Sequence, residues 1–446
     1  MKATTTLLIV TVCLTWNACT SAHSEPSTAT ASTTLTIPEL PKRSAEYGDP
    51  TEYDHLLDAY DKAKIQLRKD PTNEKALLRI AEVFITDARI TGNTGYDHDA
   101  AINILDHLIN GNYRKDSKAQ AYALEAVIRL SQHKFAEGKE LAEKAVSLDP
   151  DRAFNYGLLV DANTELGNYP EAVKQCDKMI SMRPDLRSYS RVSYQREIHG
   201  DVPGAIAAMT MAVKSGVPGT EETCWCLIQL GGIHERSGDL KSAQACYEEA
   251  SAERANYAAG IAALGRVKAK QNNYADAEKD LLKATSISGQ AAYYEDLARV
   301  YKANGNSSKY DAAVDSAEQA MLGLVKGTEG HNHQIGLEMA RFQFEFRDQL
   351  DLALKNAEHE LTHRPGNIDV NRMLAELYYA KGDMTKAAEH AKVAASTGSV
   401  NPELRCIQGL IALKNGDATG KTLLAQSLKD DPYQTGPTAF AARKAI

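Results

Sequence analysis

Between residues 72 and 431 apolar positions recur at helical spacing, in blocks of about 34 residues. Residues 256–284 show one block. A first helix carries Leu264-Gly265, where a partner helix crosses closely, and Asn272-Asn273 make the turn. A second helix then sets Ala277, Leu281 and Ala284 on one stripe, at i, i+4 and i+7. The small residues let the two helices approach, and the larger ones fill the space between blocks. One such hairpin cannot bury its apolar face alone, so the pattern predicts a stack. Pro150, Pro184 and Pro218 fall 34 residues apart, as do Ala243 and Ala277, and Ala353 and Ala387. About nine hairpins are predicted, preceded by a half-repeat over 52–69 with Ala59, Ala63 and Pro71 at second-helix spacing. The period is interrupted by a long turn at 91–99, three extra residues at 306–309 and a connector over 323–336.

The blocks resemble the tetratricopeptide repeat. Leu230-Gly231, Gly238-Asp239, Ala243, Tyr247 and Ala250 fit one unit of that family's pattern. Leu374-Ala375, Tyr378, Gly382-Asp383, Ala387, Ala391 and Ala394 fit another, and Gly167-Asn168-Tyr169, Ala172 and Pro184 a third. The resemblance implies an all-α, right-handed superhelical solenoid whose first helices line a concave groove for a peptide or partner protein. Its groove positions fall on Trp225, Glu235 and Arg236, then Arg266 and Lys270, then Glu295, Arg299 and Lys302, and later Arg372, Glu376 and Tyr379. Arg236, Arg266, Lys270, Arg299 and Lys302 would form a basic stripe suited to an acidic segment or a chain's carboxylate. The competing expectation is a solvated face with glutamate partners nearby. The clamp by which chaperone-binding members hold a C-terminal carboxylate is not reproduced, because its positions hold Ile228, Gly232 and Ala262.

Composition adds limits. The net charge of −8 in 446 residues disfavours a nucleic-acid partner, which needs a dominant basic surface. Lys2 followed by the apolar stretch Leu7–Trp16, too short to span a bilayer, reads as an export signal over 1–22. Two endings stay open. Ala18-Cys19 resembles a lipobox, with Trp16 where that motif prefers Leu; lipidated Cys19 would tether the chain without spanning the membrane. The other ending is cleavage after Ala22. The expected location is the periplasm or cell envelope. Residues 23–50, rich in Ser, Thr and Pro, read as a disordered linker, 51–436 as the solenoid and 437–446 as a tail. Beyond Cys13 and Cys19, Cys176, Cys224, Cys226, Cys246 and Cys406 have scattered spacings and read as buried apolar residues; a bridge from Cys224 or Cys226 to Cys246 stays open.

Several strings imitate chemistry. His359-Glu360-Leu361-Thr362-His363 is a literal H-E-x-x-H, the zinc-peptidase string that pairs two imidazoles with a general base. Here Ala353 and Ala357 occupy packing positions and Pro365 closes the helix, so the string reads as the last turn of a repeat helix, with His363 and Arg364 in solvent. Gly416 to Thr422 imitates a phosphate loop, but Asn415 stands where the first Gly belongs, and Gly416-Asp417 reads as an inter-helix turn. His331-Asn332-His333 and Asp97-His98-Asp99 are short polar clusters in loops. The expectation is a non-enzymatic interaction scaffold without a cofactor. The alternatives are an envelope zinc metallopeptidase using His359, Glu360 and His363, and an assembly or secretion factor for envelope polysaccharide or outer-membrane proteins.

Overall fold

The computed structural model describes residues 35–43, 50–325 and 335–446. The chain divides into two compact units, Met1–Thr36 and Ile37–Ile446, and every described helix lies in the second. The signal segment with Cys19, and the His331-Asn332-His333 cluster, lie outside the described residues.

Among the described residues there are 22 helices and no strand. A lone helix comes first, α1 (Pro50–Lys69). Ten antiparallel hairpins follow: α2 (Glu74–Thr91) with α3 (Thr94–Asn110), α4 (Lys115–Ser131) with α5 (Phe135–Leu148), and α6 (Ala153–Glu165) with α7 (Tyr169–Met182). Next come α8 (Leu186–Ile198) with α9 (Val202–Ser215), α10 (Glu221–Arg236) with α11 (Leu240–Glu253), and α12 (Ala258–Lys270) with α13 (Tyr274–Ile287). Then follow α14 (Ala291–Ala303) with α15 (Ser307–Val325), α16 (Gly336–Phe346) with α17 (Leu350–His363), α18 (Ile368–Lys381) with α19 (Met384–Ala394), and α20 (Pro402–Lys414) with α21 (Thr419–Asp430). A last helix, α22 (Gly436–Ala445), ends the stack.

The repeat pattern produces this packing directly. Ala243, Ala277, Ala353 and Ala387 are fully buried where the second helix of a hairpin meets the first. Helices cross closely at the glycines of Leu230-Gly231 and Leu264-Gly265: a Cβ on Gly265 would stand 2.8 Å from Leu281, and one on Gly231 2.3 Å from the Tyr247 ring. Apolar clusters run from each hairpin into the next, as from Ala258 through Leu281 and Tyr301 to Phe342. Gly416, at φ +78°, makes the turn between α20 and α21 as expected, and Gly420 packs against Gly409 rather than facing a nucleotide.

Both ends differ from expectation. The described part of the supposed linker is docked: Tyr60 and Tyr53 donate hydrogen bonds to the carbonyls of Pro38 and Pro41, and Tyr96 to that of Glu39. Arg43 donates to Asp87 at 2.6 and 3.1 Å. The supposed tail is α22, whose Ala442 is buried with Cys406, Leu410 and Leu424. Pro437 in its first turn is pre-set for helix, so the segment caps the apolar end that the last hairpin would otherwise expose.

The stack also closes on itself. Turns inside early hairpins meet connectors between late ones. The α6/α7 turn meets the α17/α18 connector, where Asn367 donates to the Glu165 carbonyl at 2.9 Å and the Ile368 N–H to Tyr169 Oη at 2.8 Å. Gly200 in the α8/α9 turn abuts Gly398, and Gly238 in the α10/α11 turn abuts Asp430. Arg254 before α12 pairs with Glu52 of α1 at 2.9 Å. Successive superhelical turns therefore touch along a seam.

Candidate functional site

Closure converts the expected open groove into a central cavity of about 2100 Å³. First helices form most of its wall, from Arg79 on α2 to Tyr293 on α14 and then from Ile368 on α18 to Arg405 on α20. Its cationic side chains are eleven arginines and no lysine, against eleven aspartates and glutamates, so the formal balance is 11 − 11, or zero. The preference for arginine follows from what these groups do. Arg191 on α8 pairs with Asp161 on α6, through Nε at 2.8 Å. Arg236 on α10 pairs with Glu197 on α8 at 2.7 Å, and Arg266 on α12 with Glu235 on α10 at 2.9 Å. The planar guanidinium bridges neighbouring hairpins through two directed contacts, which an ammonium group cannot do.

Of the predicted groove residues, Trp225, Arg236, Arg266 and Arg372 line the cavity; Lys270, Arg299, Lys302 and Tyr379 are not part of its wall. The basic stripe is already paired. Lys270 lies 3.1 Å from Glu235, and Arg299 lies 2.8 Å from both Asp296 and Glu345. Arg372 holds Glu376 at 2.7 Å and Glu403 at 2.9 Å. Lys302 sits over the Tyr310 ring, and Tyr379 packs half-buried between α18 and the last hairpin. Burial opposes ionisation of Glu235, but Arg266 and Lys270 outweigh it and hold its carboxyl at about 2. The surface is thus a neutral mosaic of fixed pairs.

Two large aromatic side chains stay accessible on this wall, Trp225 at 43% and Tyr194 at 41% exposure. Desolvation inside the cavity pushes the Tyr194 phenol well above its ordinary range. Sequence reading missed Tyr194 and Arg191, although the period held a signal for the second. Steps of 34 residues from Trp225 fall on Arg191, Ala259 and Tyr293, and all four line the cavity. Near the N-terminal end, Arg89 of α2 reaches Glu221 of α10 at 2.9 Å, linking walls four hairpins apart.

The H-E-x-x-H string lies on α17, as expected, but its glutamate points inward. Glu360 is 2% exposed and accepts from Arg364 Nε at 2.6 Å. Arg364, expected in solvent, is 3% exposed, because the seam lays Glu165 and the Phe135 ring over it. His359 and His363 stay outside with ring centroids 4.9 Å apart. Among the described residues no three His, Cys, Asp or Glu side chains converge as a metal site, the Asp97-His98-Asp99 cluster included. No described helix is long and apolar enough to cross a membrane.

The fold and this cavity define an all-α repeat solenoid with a lined interior. Residues 226–257 match the tetratricopeptide repeat family, and the chain is a tetratricopeptide repeat protein. Cellulose synthase operon protein C of Pseudomonas fluorescens (strain SBW25) is 29% identical over 208 residues, 44% of this chain; the chain covers 16% of that relative's length. Similar solved structures include PilF of Pseudomonas aeruginosa, 15% identical, covering 47% of this chain and 94% of that one, with a TM-score of 0.39. The Cut9–Hcn1 hetero-tetramer of the APC/C is 13% identical, covering 84% and 66%, with a TM-score of 0.45. The human IFIT1 dimer with PPP-AAAA is 14% identical, covering 78% and 81%, with a TM-score of 0.47.

Proposed function

We propose that this chain is a non-enzymatic scaffold that holds a single helical segment of a partner protein in its central cavity. The size of the cavity carries the reading. Its volume of about 2100 Å³ exceeds the ~300–1,000 Å³ of a small-molecule site. A helical segment ~10–12 Å across, rising 1.5 Å per residue, fills on the order of 140 Å³ per residue, so a segment of roughly 15 residues fits and a folded domain does not. The ion pairs between neighbouring first helices are already formed, which keeps the ordering cost of binding low. With no net charge on the wall, recognition rests on hydrogen bonds and on stacking against Trp225 and Tyr194, not on attraction of an acidic tail. Glu360, committed to Arg364, is poorly placed as a zinc-peptidase base.

The leader supports export to the cell envelope, either lipidated at Cys19 or cleaved after Ala22; the mass of the mature N-terminus decides between them. A second reading, assembly or secretion of an envelope polysaccharide, draws on the name of the Pseudomonas fluorescens relative. A photo-crosslinking amino acid at Trp225 tests the main reading in native envelopes. The expected product is an adduct to a short stretch of one protein, lost with Tyr194→Ala. An adduct to glycan supports the second reading, and no adduct at all defeats both.

A further inference from the structure

We propose that the seam between successive superhelical turns is a lateral gate, through which an internal stretch of a partner polypeptide enters the cavity sideways. The proposal rests on the cavity being the binding site. It makes the partner a segment flanked by folded regions rather than a free chain end.

Three observations carry it. The seam is also cavity wall: Glu165, Gly200, Ile368, Asp369, Val400 and Asp430 line the interior while forming or flanking the turn-to-turn contacts. Parting the seam therefore opens the cavity along its length. Second, the seam is weak beside the hairpin stack. The buried apolar cluster that crosses it has three members, Tyr169, Ile198 and Ile368, whereas the cluster running along α12 to α16 has nineteen. Its other contacts are hydrogen bonds, ion pairs and backbone touching backbone, and in a solenoid small rotations between neighbours add up to large changes of pitch. Third, the seam is built for closure without side-chain obstruction. A Cβ on Gly167 would fall 2.2 Å from the Gly366 carbonyl carbon, and one on Gly200 2.7 Å from the Gly398 oxygen. Gly382 has the same left-handed backbone, with φ +87° against +81° for Gly167, but nothing within 4 Å. Conformation alone requires glycine at both positions; the facing chain adds a second requirement only at Gly167.

One amide reports the gate directly. Ile368 is the first residue of α18, so its N–H has no acceptor in its own helix and donates across the seam to Tyr169 Oη. Leu374, in the same helix, is fully buried. Hydrogen exchange of the intact chain should find Ile368 exchanging at least tenfold faster than Leu374. Gly167→Ala should speed Ile368 a further tenfold and leave Leu374 unchanged, and Gly382→Ala should do neither. In a Trp16→Phe background Trp225 is the single tryptophan, and a nitroxide on polyethylene glycol should quench it more strongly in Gly167→Ala than in Gly382→Ala. Common exchange rates for Ile368 and Leu374 in the unaltered chain would overturn the gate, even if Gly167→Ala does not fold. So would quenching that ignores seam opening. A shut seam with a protein adduct at Trp225 leaves the scaffold reading standing and removes the gate; an opening seam with no adduct removes the scaffold reading and, with it, the seam's role as an entry for a partner.

Discussion

Glu360 and Arg364, one helical turn apart on α17, form an ion pair with both side chains below 5% exposure. Arg364 also reaches Glu165 of α6 at 2.7 Å and covers the Phe135 ring at 4.9 Å. The glutamate that would be the base of a zinc peptidase is instead a structural anion. It anchors the arginine through which one superhelical turn is fastened to the next.

His359 and Arg364 should therefore respond in opposite ways to mutation. His359→Ala removes an exposed ring and should change stability by less than ~0.5 kcal/mol. Arg364→Ala leaves buried Glu360 uncompensated and should cost about 3–5 kcal/mol. Urea unfolding of the two variants checks the contrast. Stoichiometric zinc in the purified chain, lost with His359→Ala, would return the enzyme reading to consideration.

Arg266→Glu should damage the fold before it informs on binding. The new carboxylate would face Glu235 and Asp296, which now hold Arg266 at 2.9 and 3.5 Å. Glu235 is 5% exposed and would keep only Lys270 and the Tyr247 hydroxyl, so a loss of about 3–5 kcal/mol is expected. A variant as stable as the parent in urea would show that the hairpins do not depend on these bridges. Binding is better probed at Trp225, whose exposed ring holds no hairpin together.

The hairpins were legible because their packing is local: a small residue, a turn and an apolar stripe all fall within 34 residues. The same period places Arg191, Ala259 and Tyr293 on the cavity wall with Trp225. Carboxylate partners for the arginines were anticipated, but which partner each takes was not legible, because the separations are unequal, 30 residues for Arg191 and Asp161 but 46 for Arg299 and Glu345. Nor was the seam. Whether Gly167 meets Gly366 depends on the pitch summed over the intervening hairpins, and no window of sequence contains that sum. The burial of Arg364 was lost for the same reason.

The cysteines should be inert in the native state. Cys176, Cys224, Cys226, Cys246 and Cys406 are all free, and no bridge joins Cys224 or Cys226 to Cys246. Burial pushes the Cys176 and Cys246 thiols up to about 11, and those of Cys224, Cys226 and Cys406 up to about 12. The thiolate is the reactive form, so a thiol reagent near neutral pH should label none of the four buried thiols until denaturant is added, and half-buried Cys246 only slowly. Labelling of any one at the rate of a free thiol would contradict its burial.

Stability should fall as pH rises through neutrality, because two carboxyls titrate near 7. Burial is the main cause for Asp97, Asp87 adds repulsion, Arg43 opposes both, and the result is about 7. Neither Asp97 oxygen has a hydrogen-bond partner. Glu165 also rises to about 7: burial leads, Arg364 opposes it, and Asp369, Asp161 and Glu338 repel the charge. Both groups titrate higher when folded than the ~3.9 and ~4.3 of an unfolded chain. The folded state therefore binds more protons between those values, and the stabilisation is fully present below ~4 and lost as pH rises through 7. Glu235 works in the other direction, but its window lies lower, because its contribution is lost only as pH falls through about 2. Urea midpoints should thus decline from about pH 5 to about pH 8. Asp97→Asn and Glu165→Gln should each flatten the decline, and the double variant should flatten it most, since the two sites share no contact. A midpoint that rises over this range, or a slope the double variant leaves unchanged, would mean that neither carboxyl holds its proton in the folded chain.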